Sequence, residues 1–118
     1  MIIEKEFSFD SAHFLPYVAD DHKCRRIHGH TYYVVVTVEG ELDPEKGWLV
    51  DFGDLKKIVK PLIDSLDHRF LNAIAGLENP TAENIAIYIY NKLKPDLEIL
   101  QSIEVRETPT SRVIYNGE

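Results

Sequence analysis

Residues 28–39 read HGHTYYVVVTVE. β-Branched and aromatic side chains dominate the run, and nothing after Gly29 interrupts it, so it predicts a β-strand. Its histidines, His28 and His30, are two positions apart, and on a strand both point to the same face. Residues 2–13 carry a second strand signal. Ile3, Phe7, Phe9 and His13 fall on one parity, and Glu4, Glu6, Ser8 and Asp10 on the other. That period of two marks a strand with one face in the core and one in water.

The rest of the chain supplies two helices and two more strands. Residues 14–27 hold a proline, paired aspartates and basic residues, and predict a loop. GELDPEKGW is a turn-rich connection. Asp51 is placed to cap a helix over about 52–66, whose Leu55, Ile58, Val59, Leu62, Ile63 and Leu66 have helical spacing. Pro61 inside it predicts a kink or an early end. Thr81 follows the break GLENP and is a good N-cap for a helix over about 82–93, with Ile85, Ala86, Ile89 and Leu93 as its apolar stripe. Residues 100–107 and 111–116 read as strands flanking TPT. The order β-β-α-α-β-β predicts one α+β domain over residues 1–118. It has a four-stranded antiparallel sheet and both helices on one face. The other face carries Tyr33, Val35 and Thr37, a mixture that predicts burial in an oligomer.

Charge and cysteine usage narrow the partners. A formal net charge of −7 argues against general nucleic-acid binding, which needs a basic footprint. The single cysteine allows no internal disulfide and fits a reducing compartment. The first residues, MIIEKEFSFD, have no apolar run of the signal-peptide kind, and no stretch approaches a membrane span. A cytoplasmic protein is expected.

Against that acidic background, DHKCRRIHGH (residues 21–30) gathers three histidines, three cations and the only cysteine. If the first two strands pair, His13 can approach His28 and His30. Three imidazoles with one open position is the pattern of catalytic zinc. Cys24 can either close that site as a fourth ligand or act on a substrate as a thiolate, which a neighbouring cation favours. His22 reads as a solvated loop histidine. Asp67 and His68 could converge at a helix end, giving a base with an orienting acid. Glu107 extends an otherwise apolar parity with Ile103 and Val105, where a carboxylate could accept two N–H bonds side by side. A solvated strand-end glutamate is the alternative there.

The segments FSFDSAH, CRRIHGH, GWLVDFGDLK, LDHRFLN, GLENPTAEN and VRETPTS, in this order, resemble the 6-pyruvoyl-tetrahydropterin synthase / 6-carboxy-tetrahydropterin synthase family over nearly the whole chain. The short length, GWLVDFGDLK and GLENPT look more like the 6-carboxy branch, which serves 7-deazaguanine (queuosine-type) biosynthesis. A branch with Glu in place of the cysteine makes another product, and Cys24 argues against it. The resemblance implies a T-fold whose subunits close their sheets into a barrel. It implies a homo-oligomer, expected as a hexamer built from trimers, with active sites at subunit interfaces. It implies His13, His28 and His30 as ligands of one Zn²⁺ per subunit, Cys24 as catalytic base, and Asp67 and His68 as relay. Glu107 would anchor the pterin, and Thr81 and Glu83 would line its pocket. The implied substrate is 7,8-dihydroneopterin triphosphate, for whose phosphates Lys23, Arg25 and Arg26 are candidates.

Overall fold

In a computed structural model describing residues 1–118, the two strand signals become one long hairpin. Strand β1 (Ile2–His13) and strand β2 (His28–Glu39) pair antiparallel from Ile2 opposite Glu39 to His13 opposite His28. Odd residues of β1 and even residues of β2 share the covered face, where Phe9, His13, Tyr32, Val34, Val36 and Val38 are buried. The parity that set the histidines apart from the acids is therefore the parity of the core.

Helix α1 (Phe52–Leu66) begins where the Asp51 carboxylate accepts the Gly53 N–H at 2.9 Å. It runs through Pro61 to Leu66, so the expected early end does not occur. Pro61 lies on the exposed side, where water can satisfy the carbonyl it leaves unpaired, while Leu55, Val59, Ile63 and Leu66 stay buried opposite. Helix α2 (Ala82–Leu93) is capped by the Thr81 hydroxyl, which accepts from the Asn84 N–H at 3.1 Å. Strands β3 (Leu100–Thr108) and β4 (Ser111–Tyr115) complete the sheet in the order β1-β2-β3-β4, every neighbouring pair antiparallel.

Both helices lie on one face of the sheet, and the core fills the space between. On the uncovered face Arg106 lies over the Tyr33 ring, pairs with Glu6 and approaches Glu104 at 3.8 Å; Arg112 reaches Glu104 at 3.6 Å. Tyr33 and Ile114 are exposed there. One extra residue of β3 enters the β3–β4 ladder between Val105 and Thr108, a bulge that includes Glu107. Bulges re-aim side chains and are frequent beside functional sites.

Candidate functional site

His13 ends β1, and His28 and His30 begin β2, so the hairpin register brings the three together. Their nearest ring nitrogens all lie within 4.8 Å of one another. His13 Nδ1 faces the Pro80 carbonyl at 2.8 Å, and His28 Nδ1 faces the Arg26 carbonyl at 2.7 Å. A carbonyl only accepts, so each Nδ1 carries the proton and each Nε2 presents a lone pair. Those Nε2 atoms are 3.1 Å apart. Two lone pairs at that distance repel unless a cation lies between them. Ligand bonds of about 2.0–2.1 Å in a tetrahedral arrangement put nitrogens about 3.3 Å apart, so this pair is spaced like two ligands of one ion such as zinc. The carbonyls fix tautomer and ring orientation, as the outer partners of zinc-bound imidazoles do. Burial lowers the pKa of His13 to about 4 and also lowers that of His30, so both imidazoles are neutral, as ligands must be.

The Cys24 thiol is not among the converging atoms. Cys24 sits in a 3₁₀ turn, Lys23–Arg25, between the two strands. Its N–H donates to His22 Nδ1 at 3.0 Å and its carbonyl accepts from the Leu15 N–H at 2.8 Å. His22, expected to be a solvated bystander, thus caps the turn that presents the thiol. Cys24 is half-buried and lines a pocket of about 290 Å³ with Lys23, His28 and His30. Arg25 turns away: its guanidinium donates to the carbonyls of Pro16 and Val18 at 2.9 and 3.1 Å and meets Asp20 at 3.4 Å. It braces the loop. Arg26 contributes its carbonyl to His28 and leaves its side chain exposed.

Asp67 and His68 converge at the end of α1. Asp67 Oδ1 accepts the Asp10 N–H at 2.9 Å, and Oδ2 meets His68 Nδ1 at 2.8 Å. His68 has φ 54°, a left-handed conformation unusual for a non-glycine residue, and its N–H donates to the Asp10 carbonyl. Such conformations persist only where surrounding bonds enforce them, and they cluster at functional sites. The Asp10 N–H, and next the His68 ring, hold the Asp67 pKa down; the Asp67 carboxylate raises that of His68. A single chain does not join this pair to Cys24. The pair is tied to Asp10, on the outward parity of β1, and His68 lines a depression of about 650 Å³ with Asp10, Thr31, Phe70 and His30, the last of which also lines the Cys24 pocket. Cys24 opens beside the inward-facing His28.

Glu107 and Glu83 line one pocket of about 320 Å³ with Val105 and Val113. Glu107 Oε2 is buried without a hydrogen-bond partner. A carboxylate so placed calls for donors, which suits an amino-pyrimidine edge. The Thr81 hydroxyl is engaged in the α2 cap. Three supporting groups have no signature in the sequence: the carbonyls of Pro80 and Arg26, and Asn72. The Asn72 amide accepts the Phe14 N–H and donates to the Phe14 carbonyl, both at 2.9 Å, and so fixes the chain just after His13.

The chain is similar to known proteins along nearly its whole length. The family model for 6-pyruvoyl tetrahydropterin synthase matches residues 2–118. The chain is 44% identical to the 6-carboxy-5,6,7,8-tetrahydropterin synthase of Synechocystis sp., over 97% of this chain and 92% of that protein. It is 41% identical to the Haemophilus influenzae protein of the same name, over 96% of each. The solved structure of Caenorhabditis elegans 6-pyruvoyl tetrahydropterin synthase superposes with a TM-score of 0.92 at 32% identity, covering 100% of this chain and 96% of that one. With its four-stranded sheet, two helices and histidine cluster, the chain belongs to the 6-pyruvoyl tetrahydropterin synthase family.

Proposed function

We propose that this chain is a zinc-dependent lyase of the cytoplasm. It converts 7,8-dihydroneopterin triphosphate to 6-carboxy-5,6,7,8-tetrahydropterin, releasing acetaldehyde and triphosphate, in 7-deazaguanine (queuosine-type) biosynthesis. The observation that carries the reading is the convergence of His13, His28 and His30 beside a half-buried thiol whose sulfur is not among the converging atoms.

A zinc ion held by the three imidazoles supplies Lewis acidity toward the two hydroxyls of the substrate side chain. Cys24 acts as the general base, taking the proton from the carbon next to the pterin ring, a role worth roughly 10²–10⁴ in rate. Glu107 holds the ring by its 2-amino and ring N–H groups, with Glu83 at the same pocket. Lys23, beside the thiol, and the exposed Arg26 face the triphosphate; Arg25 does not, because its guanidinium is engaged. The relay reaches Cys24 from a second copy. The lack of a hydrogen bond from Asp67–His68 to Cys24 within one chain and the uncovered sheet face both support an active site at a subunit interface, in a hexamer built from two trimers.

Cys24→Ala is the test. Turnover should fall by roughly 10²–10⁴-fold with zinc content and fold retained. Loss of zinc together with folding would instead favour a zinc-stabilised interaction module in which Cys24 is a ligand. The likeness to the Caenorhabditis elegans protein keeps a second product in view, formed by triphosphate elimination without carbon–carbon cleavage. Acetaldehyde released from dihydroneopterin triphosphate decides for the 6-carboxy product.

A further inference from the structure

Two buried side-chain oxygens or nitrogens in the whole chain lack a hydrogen-bond partner: the Tyr32 hydroxyl and Glu107 Oε2. They belong to neighbours. The β2–β3 ladder runs to Tyr33 opposite Arg106, so Tyr32 and Glu107 are the next residues on their strands. Directly opposed residues have Cβ atoms about 4.5–5.5 Å apart, within reach of long side chains. Tyr32 is 0% exposed and locked, its ring stacked on Phe9 at 4.9 Å and edge-on to His13 and His30 at 5.7 and 5.5 Å. Burying a hydroxyl with no partner is costly, and phenylalanine would fill the same space without that cost.

We propose that Tyr32 is a positioning residue for Glu107: its hydroxyl donates to the inner carboxylate oxygen across one buried water and fixes the carboxylate for a ligand edge. A carboxylate offers about four lone-pair sites, so with the inner oxygen bonded toward Tyr32 the outer oxygen is left to accept from the ligand. Tyr32 itself touches no substrate, because its hydroxyl is sealed in the core. The consequence is selectivity. A carboxylate held in one orientation favours a ring edge with two adjacent donors, as in a 2-amino-4-oxo-pteridine. It gains less on a pteridine-2,4-dione, which lacks the 2-amino group. This rests on the reading of Glu107 as the ring anchor given above.

The experiment is a double-mutant cycle on the zinc-loaded enzyme, with Tyr32→Phe, Glu107→Gln and the pair, titrated by fluorescence with 2-amino-4-oxo-pteridine and with pteridine-2,4-dione. Tyr32→Phe should weaken the 2-amino compound about tenfold and the dione by less than about twofold, with zinc content unchanged. On the Glu107→Gln background the same change should cost less than about twofold. Equal loss for both ligands, full additivity, or loss of zinc would overturn the inference, because each indicates a merely structural tyrosine. A wild-type protein that binds while Tyr32→Phe binds equally well overturns the inference alone. A wild-type protein indifferent to the 2-amino compound, or a Glu107→Gln variant that binds normally, overturns the anchor reading and the inference with it.

Discussion

His13 combines near-complete burial with a neutral imidazole, and this makes stability depend on pH. Its pKa falls from 6.5 to about 4, chiefly because burial penalises the charged ring. The folded state therefore binds the proton less well than the unfolded chain does. The stabilisation is full above pH 6.5 and is lost as pH falls toward 4. For a group 1% exposed, the shift corresponds to about 3 kcal/mol in the metal-free protein. His30 shifts in the same direction and adds to it. Urea midpoints measured in chelator should drop across this window, and His13→Gln should flatten the dependence. A midpoint independent of pH between 7 and about 4.5 would contradict the account.

At the scale of elements, caps and periodicity carried most of the information. Asp51 and Thr81 start their helices where the residue types predicted, and the strand over 28–39 has the bounds that its β-branched run implied. Pro61 misled because a sequence does not show which side of a helix a residue will occupy. The histidine cluster was legible because parity is a local property and hairpin pairing a short-range one. The fate of Arg25 was not, since its partners are the carbonyls of Pro16 and Val18, and any residue type supplies a carbonyl. The same holds for the carbonyl that steadies His13. It belongs to Pro80, directly before the α2 cap, so the cap and the His13 ring are mechanically joined. Thr81→Ala should cost about 1 kcal/mol by urea denaturation, with Thr81→Ser close to wild type. Zinc affinity should weaken in the alanine variant and recover in the serine variant, as read by chelator competition.

For the whole molecule, the uncovered face is the unfinished part. In one chain its Arg106–Glu6–Glu104–Arg112 cluster has Arg106 and Glu104 partly buried but Glu6 and Arg112 exposed, so water still screens its pairs. Desolvated between subunits they would instead set which register of association is allowed. Arg106→Glu places like charges against Glu6 and Glu104 and should dissociate the assembly. Light scattering should report a smaller species, with turnover lost and zinc retained. An unchanged assembly would rule this face out as the contact.

The carbonyl clamps on the histidines bear on the order in which the protein is made. Pro80 and Arg26 lie 67 and 2 residues from the rings they hold, and His13 reaches its partners only once β1 and β2 have paired. An unfolded chain therefore offers no cradle, and an ion bound by these histidines would arrive last, into a finished socket. Metal would then act as a latch on departure rather than a template for arrival. Refolding should proceed at the same rate with or without chelator, while unfolding should accelerate when the metal is stripped. Stopped-flow measurements on both arms would separate these, and a refolding rate that climbs with zinc would show the template instead.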